Sequence, residues 1–204
     1  MFLLKHTPSP RPAPASPPGA RDVPPEVVVS VETPTAHHLA ALRWATDLAY
    51  DSGGRLVMLS NPGLDALLER GRKGGLVVVG TPGPASLRGR RLTPLVGQLL
   101  ALYPGPVAVV PGLFRAAPDG PVLSTTNAVP KTVRAVLGQR PLVRVGSFAE
   151  MVRSCSEAYV VVLVCGPHAR ADFGACAALA TLGSLHAPAI VVHPGVDESA
   201  LMAR

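Results

Sequence analysis

The residues best suited to chemistry fall in one glycine-bearing stretch, Gly80 to Arg91, which reads GTPGPASLRGRR. Gly80 and Gly83 leave backbone N–H groups free to converge on an anion, and Thr81 and Ser86 add hydroxyl donors. Arg88, Arg90 and Arg91 add countercharge, so the chemistry of this stretch is phosphate binding through a glycine loop. If the phosphate belongs to a nucleotide, Glu32, at the end of an earlier apolar run, is placed to accept from the sugar. The other reactive types form no comparable set. His37 and His38 are neighbours, and on a helix their side chains point about 100° apart, which suits no shared metal. His168, His186 and His193 fall singly at the ends of predicted elements. Cys155, Cys165 and Cys176 are spaced ten and eleven residues apart, which fits neither a zinc site nor a disulfide framework. Cys165, at a strand end, reads as a small buried residue rather than a redox thiol. No Ser-His-Asp, paired-carboxylate or lysine arrangement appears, so the reading is non-enzymatic, with no catalytic residue and no metal.

A loop of this kind needs a strand before it and a helix after it. Leu76 to Val79 and Val107 to Val110 are β-branched runs bounded by Gly and Pro, the pattern of strands buried on both faces of a parallel sheet. Between them Leu92, Leu95, Val96 and Leu99 share one face of a helix that supplies the crossover. Residues 80–91 then sit at the carboxyl end of a strand, where open α/β folds hold their ligands. Upstream, EVVVSV predicts a strand from Glu26, and TPTAHHLAALRWATDLAYDSGG a helix capped by Thr33 or Thr35 and closed by Gly53-Gly54. Its buried stripe is predicted as Leu39, Leu42, Ala45 and Ala49. RLVMLSN is a second strand, and a short helix over 65–72 turns Leu64, Leu67 and Leu68 inward. After a polar connector, 113–120, the pattern restarts with PVLSTT, a helix near 129–139, LVRVG, a helix opened by the capping box Ser147 to Glu150, YVVVLVCG, an alanine-rich helix, APAIVVHP and a last helix at 197–204. The fold class is α/β: doubly wound parallel sheets of the flavodoxin-like or adenine-nucleotide-hydrolase-like kind. Two tandem small units, 26–112 and 121–204, follow a proline-rich tail, 1–25.

The first unit resembles a universal stress protein domain. Ala41-Leu42-Arg43-Trp44-Ala45 matches the core of that family's first helix, Gly80 and Gly83 match its Gly-x-x-Gly, and PVAVVP at 106–111 matches its last strand. The resemblance spans 26–112, abridged by about one strand-helix unit between Asn61 and Gly75. It implies a stress-response or regulatory module, with ATP at Glu32, Gly80, Thr81, Gly83, Ser86 and Arg88 in the members that bind it. Thr93-Pro94 stands where the family has Gly-Ser, and proline removes an amide from the phosphate side. The expectation is weak or lost nucleotide binding, and no obligate cofactor. The second unit resembles either a shortened second stress-protein repeat or the receiver domain of response regulators. As a receiver it is degenerate: Cys165 occupies the phosphoacceptor position, Ser124 with Thr125 or Thr126 the acidic pair, and no fifth strand follows. Strand order is the expected discriminator, 3-2-1-4-5 for a stress protein and 2-1-3-4-5 for a receiver.

At 204 residues with 48% hydrophobic and 16% charged residues, the chain can bury a core for both units. The net charge of +6 is spread along the chain and aromatics are 4%, which argues against a nucleic-acid partner. MFLL is too short for a signal-peptide apolar region and no uncharged apolar run spans a membrane, so no membrane association and a cytoplasmic location are expected. Residues 5–25 hold eight of the 23 prolines, which predicts an extended or disordered linker. In the resembling family the last strand pairs with its mate across a two-fold axis. The apolar strand at 107–110 therefore calls for a homodimer, a protein partner or, the favoured reading, cover from the second unit in the same chain.

Overall fold

A computed structural model describes residues 24–31, 35–72, 75–82, 93–114, 117–126, 129–164 and 185–192. Residues 1–23 of the predicted proline-rich tail, all but the last two residues of the alanine-rich segment, and the last helix lie outside them. Eight strands are described: β1 (Glu26–Val31), β2 (Arg55–Ser60), β3 (Leu76–Thr81), β4 (Val107–Pro111), β5 (Val122–Ser124), β6 (Leu142–Arg144), β7 (Val160–Val164) and β8 (Ala189–Val192). Five α-helices accompany them: α1 (Ala36–Asp51), α2 (Leu64–Gly71), α3 (Pro94–Leu102), α4 (Lys131–Leu137) and α5 (Phe148–Ser154). All eight strands join one sheet in the order β2-β1-β3-β4-β8-β7-β5-β6, parallel throughout except where β4 meets β8. The fold is α/β and doubly wound, as the alternation of buried runs and amphipathic segments predicts.

Read inward from either edge, the order is the same: second strand, first, third, fourth. The pairing registers also correspond. Val77 N donates to Pro106 O at 3.2 Å, and Val161 N to Pro188 O at 2.9 Å, so β3–β4 and β7–β8 are entered alike. At the seam Val107 faces Val191, Ala108 faces Ile190 and Val109 faces Ala189, which places a local two-fold between Ala108 and Ile190. The apolar edge of β4 is thus covered from within the chain, the favoured expectation. Strand order does not separate the two descriptions of the second half. A stress-protein sheet without its third strand and a receiver sheet without its fifth both run 2-1-3-4.

Strand residues alternate between two helical layers. Val27, Val29, Leu76, Val78, Ala108 and Val110 face α1, while Val122, Val160 and Val162 continue that layer under α4. Val28, Val77, Val79, Val107 and Val109 face α2 and α3, and Val161 and Leu163 continue toward Met151 and Cys155. Leu67 is buried with Leu64 and Leu68 packed beside it, as predicted. Tyr103 ties α2 to β3: its Oη lies 2.8 Å from Gly71 O at the helix end and 2.7 Å from Gly75 O just before the strand. Burial first, and then the Glu26 carboxylate, raise its phenol above the ordinary 10.0. Ser147 caps α5, its Oγ accepting from Glu150 N at 3.2 Å, and Glu150 Oε2 accepts from Gly146 N.

The predicted stripe on α1 holds at Ala45 and Ala49, has Leu42 packed at the edge of the core, and needs correction at Leu39. The buried residues of the helix are His38, Ala41, Trp44, Ala45, Leu48 and Ala49, whereas Leu39 is 55% exposed. Trp44 is too large to leave in water, and burying it turns the helix so that Leu39 faces outward.

Candidate functional site

In each half the chain steps from its first strand to one side and then crosses to the other, so neighbouring strands β1 and β3 carry their following segments in opposite directions. A crevice opens at such a switch point, beyond the carboxyl ends of the strands. Here it encloses about 330 Å³ and is lined by Ser30 from β1, Val79 and Gly80 from β3, His37 and His38 from α1, and Thr93 to Val96 at the start of α3. That volume lies at the lower end of the range for small-ligand sites.

Gly80 is brought to this crevice, but not as a loop residue. It pairs with Val110 inside the β3–β4 ladder, and Thr81 pairs with Pro111. A Cβ on Gly80 would lie 2.4 Å from His37 O, so glycine is needed there for α1 to pass close over the strand end. Thr81 is buried and its Oγ1 donates to Pro82 O at 2.8 Å, a bond that takes its proton away from any anion. The placement of Gly80 and Thr81 in a loop is therefore corrected: the strand runs two residues further than a glycine break suggests. Gly83, Ser86 and Arg88, with Arg90 and Arg91, lie outside the described residues, as does Glu32.

Two helix starts border the crevice. Pro94 is the first residue of α3, the position where a missing N–H matters least, because an α-helix leaves its first amides unbonded in any case. The proline therefore removes one donor, and the amides of Leu95 and Val96 remain in the first turn. At the start of α1, Thr35 is the cap residue, yet its hydroxyl makes no cap bond. Instead Thr35 Oγ1 lies 2.8 Å from His38 Nδ1 and within 3.2 Å of the ring nitrogens of His37. The two rings are 4.3 Å apart between centroids. They converge on one hydroxyl although successive helical side chains diverge, His37 from the first turn of α1 and His38, 8% exposed, from beside it. This imidazole pair is the feature sequence reasoning missed. Its signal was a His-His dipeptide two residues after a cap threonine that follows a buried strand.

Among the described residues no group of three His, Cys, Asp or Glu side chains could hold a metal ion, and no helix is long and apolar enough to cross a membrane. Cys155 is a buried free thiol whose Sγ contacts Val152 O at 3.1 Å, while Cys165 and Cys176 lie outside the described residues. The crevice can thus offer two helix-start donor sets, two imidazoles and an apolar wall of Val79, Leu95 and Val96 to a small ligand with an anionic end. Neither the protein-family models nor the curated proteins compared with this chain give a match.

Proposed function

We propose that the chain is a non-enzymatic regulatory module of the universal stress protein kind, with a weak nucleotide site at the β1/β3 crevice and its dimer-like seam built into one polypeptide. The observation that carries the reading is the β4–β8 pairing about Ala108 and Ile190. It matches within one chain the last-strand pairing expected of a stress-protein dimer. A seam between two last strands that are entered alike is what a repeat of the first unit supplies, and this favours a shortened repeat over a degenerate receiver.

Titration calorimetry with ATP on the full chain tests the site. A dissociation constant in the millimolar range is expected, about 4 kcal/mol of binding free energy, and Gly83→Asp should abolish it. No heat at ten millimolar ATP would remove nucleotide from the reading, and sustained release of phosphate would end its non-enzymatic part. Acetyl phosphate separates the alternative: a base-labile adduct on residues 121–204 would favour the receiver.

A further inference from the structure

A groove runs along the whole of α1, on the side turned toward the second half of the sheet. Leu39, Trp44 and Tyr50 form one wall, and Phe114, Arg140 and Tyr159 the other, enclosing about 660 Å³. The chain has one Trp, three Tyr and four Phe, and four of these eight rings line this groove. Tyr50 is 87% exposed and Leu39 55%, although each could have been a polar residue at no loss to the core. Within the groove Trp44 and Tyr159 lie 6.1 Å apart between ring centroids, and the Arg140 guanidinium sits 3.6 Å above the Tyr159 ring. Trp44 Nε1 and Tyr159 Oη are buried without a hydrogen-bond partner. Trp44, 1% exposed, and Tyr159, 4% exposed, form the floor of the groove, while Tyr50, Leu39 and the half-buried Phe114 stand at its walls and offer the apolar faces that proline-rich strands dock on. Proline rings fit between aromatic faces, and a polyproline II backbone leaves its carbonyls free to accept.

The chain supplies such a strand. Residues 8–18, PSPRPAPASPP, hold six prolines. They are joined to β1 beside the end of the groove: Pro25 O accepts from Arg55 N at 2.8 Å, and a Cβ on Gly54 would meet Pro25 O at 2.6 Å. Gly54 lies three residues beyond Asp51, which lines the groove. The sixteen residues of α1 measure about 24 Å, and eight residues of polyproline II cover that length at about 3.1 Å each. The seven residues Gly19 to Pro25 lie between that segment and β1, a length of chain sufficient to reverse direction. Asp47 on the α1 wall offers a carboxylate to Arg11, the one cation inside the proline run.

We propose that this groove is the docking site of the chain's own proline-rich segment, residues 8–18, bound as a polyproline II strand along Leu39, Tyr50 and Phe114, above the floor that Trp44 and Tyr159 form. The far end of the groove, at Ala36 and Gly112, lies against His37, so a docked segment extends from the start of β1 toward the crevice. The proposal holds whether or not the crevice takes a nucleotide.

Nitrogen-15 relaxation on the full chain tests it, read at the amides of Ala13, Ala15 and Ser16. Docking gives order parameters approaching about 0.85, and Tyr50→Ala should lower the docked-to-free ratio about tenfold, bringing them below about 0.6. Tyr50 is exposed, so this variant leaves the fold intact; Leu39→Asp, on the same wall, should act in the same direction. Values below about 0.6 in the unmodified chain overturn the proposal. So does order that disappears on tenfold dilution, which assigns the segment to a second copy, and so does order unchanged by both substitutions.

Discussion

The two halves of the sheet share strand order and pairing register, yet they treat the end of the third strand differently. The first half places Gly80 there, and α1 passes so close that a Cβ would collide with His37 O. Counting from the paired residues Leu76 and Val160, the same position in the second half is Val164, which is partly buried and keeps its side chain. The helix on that side, α4, has seven residues where α1 has sixteen. A missing side chain at the strand end thus accompanies the half in which a long helix lies across it, bounding both crevice and groove, and a retained one the half with a short helix. The same strand framework leaves function to the residue at its carboxyl end.

The largest expected effect comes from breaking the seam that joins the halves. Ile190 is fully buried opposite Ala108 on the local two-fold. Ile190→Asp buries an unpaired carboxylate at the centre of an eight-stranded sheet, so a loss of more than about 4 kcal/mol is expected. Because β4 and β8 share one core on each face, urea unfolding should remain a single transition displaced to lower concentration. A first-half transition that stays at its original midpoint, followed by hydrogen exchange at β1 and β3, would show that the halves fold separately.

Gly80→Val makes the first half like the second at the strand end. The new side chain meets the backbone of His37 and His38, not a flexible tip, so α1 must shift as a unit. Overpacking of this kind costs about 1 to 3 kcal/mol, placing the effect below that of the seam. Val164→Ala in the second half should cost only about 1 kcal/mol, the loss of two half-buried methyl groups. Equal losses for the two substitutions, measured by urea midpoints at constant m-value, would remove the asymmetry from which the crevice is derived.

What could be read from the chain beforehand follows the range of each interaction. Strands were legible because runs such as Val27 to Val29 and Val160 to Val162 are buried on both faces, and nothing else tolerates that composition. Ser147 and Glu150 announced the start of α5 through a bond only three residues long. On α1 the expectation fails at Leu39, which fits a stripe with Leu42, Ala45 and Ala49 until the sheet is present to accept Trp44. Gly80 and Thr81 were read as loop because glycine ends strands more often than it lets a helix pass over one. The groove was invisible: Phe114, Arg140 and Tyr159 come from three segments and meet α1 only after β4 and β8 pair.

The smallest expected effect also separates the halves, at the residue preceding the third strand. The first half has Gly75 there, whose carbonyl lies 2.7 Å from Tyr103 Oη, and the second has Tyr159, whose ring fills the space beside Trp44. Burial pushes the Tyr159 phenol up to about 12 from its ordinary 10.0; Arg140 pulls it back, and Asp51 and Asp47 push it further. The sign follows from which state ionises first. In the unfolded chain the phenol loses its proton near pH 10, while in the folded protein it stays neutral until about pH 12. Stability from this group is therefore fully present below pH 10 and declines as pH rises from 10 toward 12. Tyr159→Phe should flatten the fall of the urea midpoint between pH 10 and 11.5, whereas Arg140→Ala should leave a fall beginning at the same pH. Arg140 also anchors the ring through Asp51, 2.6 Å away, so that variant should lower the midpoint at every pH by an amount that shrinks in salt. A pH profile unchanged by Tyr159→Phe would assign the alkaline loss to Tyr103, and with it to the first half, where a buried phenol is bound to two carbonyls instead of resting beneath a guanidinium.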